Sequence, residues 1–184
     1  MRKFFVLFAA LALVTGAYAQ VHDFDVAGIE SWDPYQDPDN VVVQFDLAAA
    51  LGYPSGTYLE MTGIGWDVDL ETYGSSWLSE MIVYFDDNIA PDGSGLFLTP
   101  AAGDGFAGSG TYASGGILDL TDNGIPDIPL PDGMLRMEFY EGYDDYVDAA
   151  DALWVGGYLN IQAVPEPASL ALLGLGVCSL LRRR

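Results

Sequence analysis

Basic side chains and cysteine are what this sequence has least of. Its 184 residues include 6 Lys and Arg against 27 Asp and Glu, with one histidine and one cysteine. Arg2 and Lys3 open the chain, Arg182, Arg183 and Arg184 close it, and only Arg136 lies between. All the acids except Glu166 fall between Gln20 and Val164. A body so acidic is repelled by phosphate backbones and anionic lipid, which excludes nucleic-acid binding and docking of the body on a membrane surface. A lone Cys178 rules out a disulfide framework. With no cysteine in the body and His22 as its only imidazole, zinc sites of the His/Cys type and cysteine nucleophiles are excluded. A Ser-His-Asp triad would have to use His22, which the sequence places in a mobile N-terminal tail, and no nucleophile elbow supports one. No GxxxxGK[ST] or GxGxxG loop occurs, and the glycines of AAGDGFAGSG (101–110) read as a flexible surface loop. Disorder is excluded as well, because the body is rich in aromatic and β-branched residues.

Apolar runs long enough to span a bilayer comfortably are also missing; two shorter ones stand at the ends. Arg2 and Lys3, an apolar stretch from Phe4 to about Val14, and Ala17-Tyr18-Ala19 have the three parts of a secretory signal. Cleavage after Ala19 would leave Gln20 as the first mature residue, so residues 1–19 are assigned as a signal peptide that hands the chain to the Sec machinery. At the other end, Pro165-Glu166-Pro167 precedes an apolar run from Ala168 to Leu181 and then Arg182, Arg183 and Arg184. Fourteen helical residues reach only about 21 Å against a hydrocarbon core of about 30 Å. Snorkelling arginines and local thinning make up the difference. The arginines hold this end inside, and the prolines leave Glu166 extended and exposed at the outer face. Cys178 reads as a small apolar residue of the run.

This C-terminal segment resembles the PEP-CTERM sorting signal of exported bacterial proteins. The resemblance rests on Pro165, Glu166, Pro167, the apolar run and the arginine cluster, in order. It implies recognition and processing by an exosortase in Gram-negative bacteria that make exopolysaccharide. A GPI signal does not finish in arginines, and a permanent tail anchor has a longer span. The chain is therefore expected to be exported, held transiently in the inner membrane by its C-terminal helix, and then placed at the cell surface or outside it.

Between the ends, residues 20–164 read as one acidic domain of short strands bounded by Gly, Pro, Asn and Asp. The candidates are Val41–Leu47, Thr57–Met61, Ile64–Leu70, Met81–Phe85, Gly95–Thr99, Gly116–Leu120, Met134–Tyr140 and Trp154–Gln162. In Ile64–Leu70 and Leu135–Tyr140 apolar residues alternate with polar ones, the pattern of antiparallel strands with one buried and one wet face. The expected fold is all-β: an antiparallel, jelly-roll-like β-sandwich flanked by the signal peptide and a short C-terminal transmembrane helix. Its expected core comprises Val42, Phe45, Trp66, Val68, Ile82, Tyr84, Leu96, Leu118, Leu135, Met137, Phe139, Leu159 and Ile161. The segment from Asp132 to Ile161 resembles the end of the jelly-roll P-domain that follows subtilisin-type proteases, which bears on the fold alone.

Carboxylates are the only abundant functional groups, and a chance pair of acids carries no specificity for glycoside hydrolysis. No enzyme is expected. Ca²⁺ is the one cofactor the acids suggest, because it wants several converging hard oxygens. One candidate loop is Asp119, Asn123 and Asp127, which partly follows D-x-D-x-D-G spacing but has Thr121 at the third position and Leu130 where the final Glu belongs. The other is Asp144, Asp145, Asp148 and Asp151, where acids crowd between two strands. Trp32, Tyr35, Tyr143 and Tyr146, in acidic or Pro-rich loops, are candidates to stack on sugar faces, with loop packing as the alternative. The expected role is structural or adhesive, in association with exopolysaccharide; the alternative is a Ca²⁺-dependent carbohydrate-binding module.

Overall fold

Alternation in the sequence becomes two antiparallel sheets in the computed structural model, which describes residues 18–88, 93–147 and 149–166. In chain order the strands are β1 (Gln20–Asp25), β2 (Ile29–Ser31), β3 (Val41–Asp46), β4 (Leu59–Thr72), β5 (Met81–Asp87) and β6 (Leu96–Leu98). They continue as β7 (Ser109–Ala113), β8 (Leu118–Asp119), β9 (Ile128–Leu130), β10 (Met134–Glu141) and β11 (Ala152–Pro165). A single-turn helix, α1 (Leu47–Ala50), follows β3 and is capped by Asp46, whose side chain accepts from the Ala49 N–H. The first sheet runs β1-β11-β4-β7, with β2 on β11 and β8 and β9 on β4; the second runs β3-β10-β5-β6.

The two longest strands, β4 and β11, pair along their whole length at the centre of the first sheet. Leu59, Met61, Ile64, Val68 and Leu70 of β4 are buried, while Asp67, Asp69 and Glu71 between them are exposed. Against this inner face lie Leu135, Met137 and Phe139 of β10 and Met81, Val83 and Phe85 of β5. Phe139 meets Trp154 of β11 edge-on, ring centroids 5.2 Å apart, which ties one sheet to the other. Each fully buried side chain of this kind contributes about 1.5–3 kcal/mol. The ladder shifts register between Trp154 and Gly156. Gly157, at φ 100, is required next to that bulge, because a Cβ there would run into the Asp67 carbonyl oxygen.

Several expectations are corrected. His22 is not in a loose tail: β1 starts at Gln20, His22 pairs opposite Ile161, and its ring lies 5.5 Å from Phe45. Val42 and Leu118 are 43% and 39% exposed. On β3 and β5 the inward set is Val41, Val43 and Phe45 and Met81, Val83 and Phe85, so Val42, Ile82 and Tyr84 face outward. Apolar residues on both sides of VVVQF and MIVYF hide the phase of these strands. The 101–110 loop is tied down, with the Leu78 and Ser79 N–H groups donating to Phe106 O and Asp104 O at 3.1 and 3.2 Å. Its last residues begin β7.

The outer face of the second sheet is not wet. Segment 32–40 lies over it, with Tyr35 packed 4.9, 5.4 and 5.5 Å (ring centroids) from Tyr84, Phe97 and Tyr140. Beneath the segment, Glu138 accepts from Arg136 Nη2 at 2.6 Å, the Gln36 N–H at 2.6 Å and Asn40 Nδ2 at 3.1 Å. The signal segment 1–17 and the sorting segment from Pro167 onward lie outside the described residues. Among the described residues no helix is long and apolar enough to cross a membrane.

Candidate cation site and sorting segment

At one end of the sandwich three pieces of chain converge: the last residue of β10, the segment after β2, and the loop from β10 to β11. Backbone hydrogen bonds lock them together. The Glu141 N–H donates to Asp33 O (3.2 Å), the Asp151 N–H to Ser31 O (3.0 Å), the Gly142 N–H to Glu80 O (2.8 Å) and the Tyr73 N–H to Asp151 O (2.7 Å). By strand alternation Glu141 falls on the same side of β10 as Leu135, Met137 and Phe139, facing the interior.

Glu141 is fully buried, and neither carboxylate oxygen has a hydrogen-bond partner. Burial pushes its pKa up to about 9, reinforced by the charges of Asp151, Glu80 and Asp145; the nearby Ser31 hydroxyl acts in the opposite direction. Asp151 is also fully buried. Its Oδ2 accepts from the Asp145 N–H at 3.1 Å, its Oδ1 has no partner, and the buried Ser76 hydroxyl beside it stands outside hydrogen-bond geometry. Burial raises the Asp151 pKa, Asp144 and Asp145 add to the rise, and the Asp145 N–H and the Ser76 hydroxyl oppose it. Asp144 Oδ1 is a fourth buried, partnerless oxygen. Asp33 is raised by burial first, then by Asp37, Asp144, Asp39 and Asp151, which places it electrostatically within the same group. Carboxylate oxygens of Asp33, Asp37 and Asp39 lie within 4.8 Å of one another.

Among the described residues no Lys or Arg answers these charges. Arg136 is the only Lys or Arg between residues 18 and 166, and it is paired with Glu138. The structure therefore gathers Asp144, Asp145 and Asp151 from the predicted set; Asp148 lies outside the described residues. Sequence reasoning missed Glu141 and Asp33. Three acids in the seven residues Asp33–Asp39, set between prolines, were the available signal for the second; Glu141 looked like the end of a strand.

The other acidic loop is arranged differently. Asp119 Oδ1 accepts from Thr121 Oγ1 (2.7 Å) and the Asp122 N–H (3.0 Å), and Asn123 Nδ2 donates to Asp119 O (2.8 Å). These bonds lower the Asp119 pKa, the Thr121 hydroxyl most of all. The carboxylate closes a 3-10 turn, Thr121–Asn123, that ends on Gly124 at φ 76. Asp127 is raised by burial and by Asp119, and its Oδ1 is partnerless.

Of the four candidate aromatics, Tyr35 is used in packing on the second sheet and Trp32 is half-buried. Tyr143 is 63% exposed. Tyr146 packs against Gly74, whose missing side chain makes room for the tyrosine tip. Beside the acid cluster, Tyr143 joins Ser75, Trp77, Glu80 and Asp145 around an open cleft of about 390 Å³. Trp77 is 48% exposed and was not foreseen as a site residue. Its N–H donates to Glu80 Oε2 at 2.9 Å, which fixes the turn that presents the ring.

The sorting segment leaves from the opposite end of β11. Pro165 is the last residue of that strand and pairs with Leu59. Glu166 is exposed and donates its N–H to Tyr58 O at 3.3 Å. Ala19 and Gln20 are exposed, and Gln20 pairs opposite Ala163, so the predicted mature N-terminus and the sorting motif emerge side by side. Ala17, Pro167, Arg182, Arg183 and Arg184 lie outside the described residues. At about 3.3 Å per residue, the length of β11 puts the acid cluster about 40 Å from Pro165.

A family model described as the PEP-CTERM protein-sorting motif matches residues 163–184. The chain thus carries the motif its C-terminal segment resembles, and the motif implies an exosortase-sorted extracellular protein. Among solved structures, a chain of "Structure of infectious bursal disease virus Gt strain" is 12% identical over 80% of this chain, with a TM-score of 0.31. This chain spans 36% of the length of that one. No curated protein matches.

Proposed function

We propose that the protein is an exported, exosortase-processed surface or matrix component whose acidic body works structurally or adhesively with exopolysaccharide. The observation that carries this reading is the sorting motif at residues 163–184, whose first three residues are the last of β11. Residues 1–19 act as the signal peptide that the Sec machinery handles, residues 20–164 as the body, and residues 165–184 as the sorting segment, whose helix anchors the protein transiently in the inner membrane. The strand orders β1-β11-β4-β7 and β3-β10-β5-β6 fit the two layers of a jelly roll. Both addressed ends leave one end of the sandwich, so the acid cluster and the Trp77 cleft point away from the membrane. The exposed acids of β4 keep the body soluble in a crowded matrix. No catalysis is assigned to it. Mass spectrometry of surface protein from a producing strain tests the processing: peptides beginning at Gln20 and none reaching Arg184 are expected, and recovery of the intact C-terminus from mature protein overturns it.

The cleft favours a second reading, a carbohydrate-binding module. Trp77 and Tyr143 offer two exposed rings beside Glu80 and Asp145, the combination of stacking faces and hydrogen-bond acceptors that pyranose rings use. Co-sedimentation with the strain's own exopolysaccharide distinguishes the readings. Binding lost in the Trp77→Ala, Tyr143→Ala double variant supports the module; binding unchanged in it removes the cleft from the account.

A further inference from the structure

We propose that Glu141, Asp151, Asp144 and Asp33 form a binding site for one Ca²⁺-class divalent cation at the rim of the sandwich opposite Pro165. An acidic cluster alone is ordinary on so acidic a chain. The decisive feature is Glu141, fully buried with both oxygens partnerless, next to the partnerless Oδ1 of the fully buried Asp151 and the partnerless Oδ1 of Asp144. Buried polar oxygens are almost always hydrogen-bonded, and leaving one without a partner is costly. Four such oxygens along one rim, with the sole arginine of the body engaged by Glu138, describe a site that expects a positive charge from outside the chain.

The donor set selects the ion. All four side chains are carboxylates, without histidine or cysteine, which favours Ca²⁺ or Mg²⁺ over zinc or copper. Mg²⁺ gives up its water reluctantly, whereas Ca²⁺ takes 6–8 protein oxygens in flexible geometry. No three of the four carboxylates lie within the 4.8 Å that joins Asp33, Asp37 and Asp39, so binding must draw them together, which the flexible geometry of Ca²⁺ permits and the strict octahedron of Mg²⁺ does not. Asp144 and Asp33 are half-buried and give the ion its way in. Binding would pin the β10–β11 loop, and with it Tyr143, to the segment after β2. The inference stands independently of sorting and of sugar binding.

The test uses the full-length chain, stripped with EDTA, dialysed and titrated with Ca²⁺ or Mg²⁺ by calorimetry and thermal unfolding. Expected are one saturable Ca²⁺ site per chain and a Tm rise of about 9 °C at one hundred times Kd. Glu141→Gln should fold and lose the response; Asp144→Asn, a change in a half-buried loop residue, should weaken Kd tenfold or more even if the first variant fails to fold. Asp119→Asn should keep the wild-type response. A wild-type Tm unmoved by both EDTA and Ca²⁺ overturns the site, as does a response that survives Glu141→Gln and Asp144→Asn. An equal Tm rise with Mg²⁺ overturns the Ca²⁺ assignment.

Discussion

Glu138 and Glu141 stand three residues apart on β10, both fully buried, yet the protein treats them in opposite ways. Glu138 faces outward under segment 32–40 and holds Arg136, Gln36 and Asn40 through its two oxygens. Glu141 faces inward at the rim, where the Ser31 hydroxyl is near but stands outside hydrogen-bond geometry. A buried carboxylate is tolerated either when the chain brings its own donors or when the solution supplies a proton or a cation. The largest effect should therefore come from removing the donor on the compensated side. Arg136→Met leaves Glu138 buried with two neutral partners and should cost about 3–5 kcal/mol, measured as a fall in the urea midpoint. Ca²⁺ should not restore it, since the loss lies away from the rim.

At Glu141 the sign reverses. In chelator at pH 7 the folded protein must hold a proton that the unfolded chain has released. Glu141→Gln, which mimics the protonated form, should stabilise the metal-free protein by about 1–3 kcal/mol. The same linkage fixes the pH dependence. The folded pKa of about 9 lies above the ordinary 4.5, so native protein binds more protons than unfolded chain between those values. The contribution is complete below about 4.5 and is lost as pH rises through about 9. The charges facing Glu141 are Asp151, Glu80 and Asp145; Asp151 is raised as well and steepens the trend. Metal-free wild type should lose stability from mild acid to pH 9, and excess Ca²⁺ should flatten or reverse that slope, as ionised ligands bind better. Urea titrations across pH with and without EDTA check this, and a flat metal-free profile would erase the contrast between the two glutamates.

What could be read beforehand divides along the same line. The β4 alternation Val68-Asp69-Leu70 showed both the strand and its wet face, because one side of that strand meets only solvent. On β10 the pattern Arg136-Met137-Glu138-Phe139 looked identical and was misread as half-wet, since nothing local announces that residues 32–40 fold over it. Strands β1 and β7 escaped notice because QVHDFD and SGTYA carry too few apolar residues to signal a pattern, and β1 acquires its place only by pairing with β11. The sorting segment was legible in full because its parts are consecutive. The acids gathered at the rim were legible by half. Asp144, Asp145 and Asp151 crowd one loop, but Asp33 joins them from more than a hundred residues away, and Glu141 belongs there only because β10 ends at the rim.

The smallest effect should come from the acidic loop that solves the problem locally. Asp119 resembles the rim acids in composition, but its carboxylate is already engaged by the Thr121 hydroxyl and the Asp122 N–H. Those bonds depress its pKa below the ordinary 3.8, so its contribution is present above that value and fades as pH falls through the lowered one. Asp119→Ala removes two hydrogen bonds at the start of a short turn and should lower Tm by about 3 °C. The shift should be equal in EDTA and in Ca²⁺, because Asp119 already has donors from its own turn and carries no fully buried charge that calls for an ion. A Ca²⁺-dependent loss at Asp119 would place cation binding in this loop too, and would mean that full burial of whole carboxylates, as at Glu141 and Asp151, is not what separates the two acidic regions.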